Sequence, residues 1–187
     1  MSLDLAGCSD GELAALALAG RQPAYGELMR RYREPVYRQV RGQIGDADAA
    51  LDVTQACFVS AFAALARYDQ ARPFRLWIAR IAINKCHDWA RRRAVRRMLS
   101  FALPIDTAVD VADPQASPET QAADAEELRR TMRAIAALPT RLRDVIVLRT
   151  IEGFSQSETA HLLSVNEKAV ETRLYRARAK LAEYLRD

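Results

Sequence analysis

Apolar residues recur at intervals of three and four along nearly the whole chain, the spacing that keeps one stripe of an α-helix turned toward a core. No segment alternates strictly enough to read as a strand, so the pattern predicts an all-α protein. A first helix is expected near Asp10, where Ser9-Asp10-Gly11-Glu12 has the form of a capping box and Leu13, Leu16 and Ala17 face inward. Gly20 and Pro23 end it. A second helix from about Ala24 carries Leu28, Tyr32, Val36 and Val40 one turn apart, and Pro35 is expected to bend or interrupt it. After a turn at Gly42–Asp48, a third helix from about Ala49 to Tyr68 places Leu51, Phe58, Phe62 and Leu65 on an inner face. A loop from Asp69 to Pro73 leads to a fourth helix, Phe74 to about Arg97, with Trp77, Ile78, Ile81 and Trp89 as its buried side.

The stripe fails between Ser100 and Ala116, where Pro104 and Pro114 break the chain and Asp106, Asp110 and Asp113 charge it, and this stretch reads as a linker. Ser117-Pro118-Glu119 restarts a helix, with Ser as cap, Pro where its missing N–H costs nothing and Glu at the positive end of the dipole. That helix runs to about Leu138, followed by one from Thr140 to about Ile151 and a turn at Glu152-Gly153. A second capping box, Ser155-Gln156-Ser157-Glu158, opens a short helix, Gln156–Leu163, and a tight connection at Ser164–Asn166 precedes a last helix from about Glu167 to Leu185. The last two have the anatomy of a helix-turn-helix. Val170, Leu174, Ala177, Leu181 and Leu185 are expected to pack on Ile146, Leu148, Phe154 and Leu162, leaving Lys168, Glu171, Thr172, Tyr175 and Arg176 outward.

Composition narrows the class. The 187 residues, half of them apolar, suit one domain or two small ones and exclude a disordered chain. No apolar run approaches the 18–20 residues of a membrane span, and Met1–Asp10 lacks the layout of a signal peptide, so a soluble, cytoplasmic protein is expected. Cys8, Cys57 and Cys86 are odd in number and widely spaced, which fits a reducing compartment rather than a disulfide framework. The net charge of +4 hides two opposed blocks. Residues 71–97 carry nine basic side chains against one acidic, a net of +8, while residues 100–127 carry seven acidic and no basic ones, a net of −7.

Those blocks locate the candidate chemistry. Arg80, Asn84, Asp88 and Arg91 form a polar stripe on the fourth helix, and Arg91, Arg92, Arg93, Arg96 and Arg97 extend it into a surface that attracts a polyanion or is simply solvated. The outward face of the last helix, backed by Arg173, Arg176, Arg178 and Lys180, either reads base edges and phosphates in a major groove or is a solvated amphipathic face. Asp52 and Gln55, three apart, are a partner-binding edge or another solvated face. Enzymatic readings find no support: no glycine-rich phosphate loop or nucleophile elbow occurs, and Cys86-His87, adjacent on a helix, diverge too far to share a metal.

Together the two halves resemble the extracytoplasmic-function group of bacterial sigma factors. The stretch 46–97 resembles that family's second conserved region, with Asp52-Val53-Thr54-Gln55 as its D-x-x-Q signature, followed by the run Phe74 to Ala82 and by Asp88-Trp89-Ala90-Arg91-Arg92-Arg93. The stretch 138–185 resembles its fourth region, with Arg143-Asp144-Val145, Glu152-Gly153-Phe154-Ser155 and the run Thr172 to Leu181. The resemblance implies a non-enzymatic, cofactor-free promoter-specificity subunit that partners core RNA polymerase, promoter DNA and an anti-sigma factor, without a small-molecule substrate or membrane insertion. It implies a first domain over 1–97, an acidic linker over 98–116 and a second domain over 117–187. Asp52 and Gln55 would bind polymerase; Arg80, Asn84, Lys85, Asp88, Arg91 and Arg92, with the Asp69–Phe74 loop, would hold the minus-ten element. Lys168, Glu171, Thr172, Arg173, Tyr175 and Arg176 would contact the minus-thirty-five duplex, and the linker would run toward the polymerase's RNA exit path. Two positions depart from the family's habit: Ala56 follows Gln55 where an acidic residue is common, and the last helix opens on Asn166-Glu167-Lys168-Ala169 rather than smaller residues. A stand-alone helix-turn-helix repressor or activator is the rival reading, and it leaves the arginine-rich helix and the acidic stretch unexplained.

Overall fold

The computed structural model describes residues 4–102 and 119–186, and the described residues are helical without strands. Eight α-helices follow in order: α1 Asp10–Leu18, α2 Gln22–Ile44, α3 Ala47–Ala63, α4 Phe74–Ala102, α5 Glu119–Ala137, α6 Thr140–Ile146, α7 Gln156–Leu163 and α8 Glu167–Arg186. The predicted linker lies outside the described residues from 103 onward, as do the cap Ser117 and Pro118; its first residues, 98–102, instead continue α4.

The first four helices share a core around α2, which packs on α1, α3 and α4. Leu13, Leu28, Val40, Cys57, Phe58, Phe74 and Ile78 fill it. Both capping boxes form as the sequence predicts: Ser9 Oγ accepts from the Glu12 amide while Glu12 reaches back to the Ser9 amide at 2.7 Å, and Ser155 and Glu158 repeat the arrangement. Pro35 does not interrupt α2, which runs unbroken through it to Ile44. Its cost of about 3 kcal/mol in a helix interior is met by burial of α2 against the helices around it. Pro23 sits in the first turn of α2, where it is tolerated, rather than ending α1.

On α3 the inner face consists of Ala50, Val53, Thr54, Cys57, Phe58 and Ala61; Leu51, expected inside, is half exposed. The helix stops at Ala63, and Leu65–Arg67 form a 3-10 turn that buries Leu65. Trp77, Ile81 and Trp89 of α4 are only partly buried, whereas Ala79, Ala82, Ile83 and Cys86 are closed off. Burial pushes the Cys57 thiol up to about 12 and Cys86 well above its ordinary value, so both behave as small apolar side chains at neutral pH.

The last four helices pack α8 on α5, α6 and α7. Beyond Ile146 the helix widens into a π-helical turn, Val147–Ile151, instead of continuing as a regular α-helix. This turn and α5 both face α2, and a glycine permits each approach. A Cβ on Gly42 would stand 2.8 Å from Ile151 Cδ1, and one on Gly45 would stand 2.6 Å from the Ala136 Cβ of α5. Gly42 is thus inside α2 rather than in the predicted turn, while Gly45 closes the helix in the left-handed region at φ +81°.

Candidate functional site

The helix-turn-helix is built from caps. Ser164, at φ 53°, ends α7 in the left-handed conformation, and Asn166 Oδ1 accepts from the Ala169 amide at 2.8 Å to start α8. Val170 and Ala177 anchor α8 inside, so Lys168, Glu171, Thr172, Tyr175 and Arg176 are exposed, Tyr175 to 76%. Lys168 and Glu171 pair at 3.0 Å, and the Thr172 hydroxyl donates to the Lys168 carbonyl at 2.9 Å. Arg176 projects a planar set of donors from the same face, the group suited to paired acceptors on a guanine edge or a phosphate.

Arg173 does not share that outward face. It lines a cleft of about 420 Å³ with Arg80, Asn84 and His87 of α4 and with Arg141 and Asp144 of α6. Arg80, expected to face bases, donates across the cleft to the Leu162 carbonyl and, at 2.7 Å, to Ser164 Oγ. Asn84 is exposed; Asp88 pairs with Arg91, and Arg92 is exposed one position on. Lys85 leaves this group and lines a groove with Asp52, Gln55, Ala56, Val59 and Ser60 of α3. Asp52 and Gln55 are exposed as expected, and Val59, 64% exposed, gives the groove an apolar margin. The loop Asp69–Pro73 forms part of a cavity of about 490 Å³ with Trp77, Arg80 and His161. Its Trp77 ring is held at 5.2 Å from the rings of both Tyr68 and Phe74.

The contacts joining the two halves are the main feature that sequence reasoning missed. Leu148, Phe154 and Leu162, expected against α8, cluster instead with Ala79 and Ile83 of α4; α8 packs on Ile135, Leu138, Ile146 and Val147. The Arg75 guanidinium carbon lies 3.9 Å from the centre of the Phe154 ring while the group donates to the Glu152 carbonyl. Arg38 Nε stands 3.3 Å from Glu152 Oε1, and His87 pairs with the buried Asp144 at 3.0 Å. Burial raises the Glu152 carboxyl above its ordinary value, against the pull of the Arg38 and Arg75 charges. No group of three or more His, Cys, Asp or Glu residues that could hold a metal occurs among the described residues. Nor is any described helix long and apolar enough to cross a membrane.

Comparison with known proteins matches this arrangement twice over. Residues 28–96 match the family model described as Sigma-70 region 2, and residues 128–181 match that of Sigma-70, region 4. The chain is 41% identical over 181 residues to RNA polymerase sigma factor CnrH of Cupriavidus metallidurans, covering 95% of this chain and 94% of that protein. It is 34% identical over 179 residues to the ECF RNA polymerase sigma factor SigM of Mycobacterium tuberculosis, covering 95% and 85%. The solved structure of CnrH in complex with the cytosolic domain of CnrY superposes with a TM-score of 0.69 at 35% identity, covering 94% of this chain and 96% of that one. The sigma factor RpoE of Bartonella quintana, solved with the anti-sigma factor NepR, shares the fold at a TM-score of 0.68 and 19% identity, covering 87% and 96%.

Proposed function

The chain belongs to the extracytoplasmic-function group of bacterial RNA polymerase sigma factors, and from that premise we propose how its surfaces divide the work of promoter-specific initiation. The exposed face of α8 meets the minus-thirty-five duplex through Lys168, Glu171, Thr172, Tyr175 and Arg176, with Arg173 at its inner margin. That face carries the reading, because five polar or aromatic side chains stand clear of a helix whose inward Val170 and Ala177 are fully packed. Arg80, Asn84, Lys85, Asp88, Arg91 and Arg92 of α4, with the Asp69–Phe74 loop, serve the minus-ten element. Arg80 must first leave Leu162 and Ser164, since its guanidinium cannot serve both. Asp52 and Gln55, exposed beside the apolar margin of Val59, form the edge that binds core polymerase. An anti-sigma partner acts on this chain in the cytoplasm, a reading supported by the likeness to CnrH, solved with the cytosolic domain of CnrY.

Transcription with core polymerase on a native promoter tests the assignment. Arg176→Ala is expected to weaken promoter binding by about 1–3 kcal/mol, roughly five- to 150-fold. Asp52→Ala with Gln55→Ala should abolish polymerase binding while leaving the helix content intact. Promoter recognition by the chain alone, unaffected by core polymerase, would instead identify a stand-alone regulator.

A further inference from the structure

We propose that the cleft closed by the end of α2, by α4, by α5 and by the start of α6 is a binding site for a compact, phosphate-bearing anion. Its lining residues are not among the DNA-facing groups assigned above, although Arg93 and Arg97 belong to the same basic run of α4 as Arg91 and Arg92. The cavity measures about 560 Å³, large enough for a phosphate chain with or without a nucleoside. Four arginines line it, Arg93 and Arg97 from α4, Arg133 from α5 and Arg143 from α6. Among the described residues that line it the carboxylate is Asp46, whose Oδ1 already accepts from the Ala49 amide at 2.8 Å. Arg93 and Arg97, four residues apart, share a stripe with Trp89 and Cys86, which also line the cavity.

The second observation is an unmet hydrogen-bonding demand at the same place. Gln43 lines the cavity at 2% exposure, and both its amide nitrogen and its amide oxygen are buried without a partner among the described residues. Arg143 donates from Nη1 to the Ala136 carbonyl at 2.7 Å, yet its Nε is buried and unpartnered as well. Buried polar groups are satisfied in the great majority of cases, so the Gln43 amide and the Arg143 Nε–H, both on residues that line this cavity, leave a demand that an anion there can meet. A phosphate group answers both: its oxygens accept from the Gln43 NH2 and from the arginine forks, and its protonated oxygen donates to the Gln43 carbonyl. Arg133 is held ready at the rim by its 2.8 Å pair with Glu126, and Arg93 lies 5.1 Å from the Trp89 ring centre. Because the donors come from both halves of the chain, the anion binds only when the halves are closed and stabilises that arrangement.

Isothermal titration of the full chain with pyrophosphate, and separately with ATP, at ionic strength held constant with chloride, tests the site. One saturable site per chain is expected, with a rise in melting temperature that chloride does not reproduce. Equal affinities identify the phosphate chain as the recognised group; tighter ATP binding means a nucleoside is seated too. Gln43→Leu, which keeps the bulk, and Arg133→Gln, at a side chain that is 62% exposed, should each weaken binding at least tenfold with unchanged circular dichroism. Absence of saturable binding overturns the proposal, as does undiminished affinity in Arg133→Gln. Stoichiometric competition by a short duplex of unrelated sequence, lost in the same variant, overturns it in favour of a DNA-backbone contact.

Discussion

Glu152 shows how one residue can be adjacent to two cations and still be unsuited to its charge. Its side chain is 3% exposed, Arg38 stands 3.3 Å away, and burial nevertheless outweighs that attraction and raises the carboxyl above its ordinary value of 4.5. The folded chain therefore holds a proton on Glu152 at pH values where the unfolded chain has released it. Stability is gained as pH falls through the raised value, and the ionised carboxyl is a cost at neutral pH. Glu152→Gln, which keeps the shape and the backbone carbonyl that Arg75 uses, should raise the melting temperature at pH 7, with the gain fading as pH approaches 4.5. Thermal unfolding at both pH values measures this; a lower melting temperature at pH 7 would mean that the Arg38 pair dominates.

At the scale of elements, glycine decides how closely helices approach. Gly45 and Gly20 both sit at positive φ, +81° and +86°, but a Cβ at Gly45 would collide with Ala136 at 2.6 Å while one at Gly20 would meet nothing within 4 Å. Gly20→Ala should cost the left-handed backbone penalty alone, about 1 kcal/mol, and Gly45→Ala that penalty plus displacement of α5, about 3 kcal/mol in all. Denaturant unfolding of the two variants isolates the contribution of the approach; equal losses would show that α5 yields freely. What could be read from sequence follows the same division. Capping boxes at Ser9 and Ser155 and the limits of α7 were legible because each depends on residues three or four apart. Leu148, Phe154 and Leu162 were rightly expected inside but assigned the wrong neighbour, since periodicity reports that a face is buried and not what covers it. Pro35 was misread for a related reason: its local penalty is intrinsic, while the packing that offsets it comes from the other helices around α2. The outward residues of α8 were legible, but the turn of Arg173 and Arg80 into a shared cleft depends on partners more than 50 residues away.

At the scale of the whole molecule, those distant partners determine what the chain can present to DNA. The seam between the halves has two parts: the approach of α2 to α5 and to the π-helical turn at Gly42 and Gly45, and an apolar patch, Ala79 and Ile83 against Leu148, Phe154 and Leu162, edged by Arg75, Arg80 and the His87–Asp144 pair. None of these five apolar residues belongs to the core cluster of the first four helices, so the patch can part without opening that core. Ala79→Asp places a carboxylate in the seam, where burying it costs several kcal/mol, whereas separating the halves exposes it to water. The variant should therefore keep its far-ultraviolet circular dichroism while its radius of gyration in solution scattering rises above that of the parent chain. Arg80 would then be released from Leu162 and Ser164, and affinity for a single-stranded minus-ten oligonucleotide should increase by several-fold. An unchanged radius with a large loss of stability would mean instead that the seam belongs to one continuous core, and that promoter engagement proceeds with the halves together.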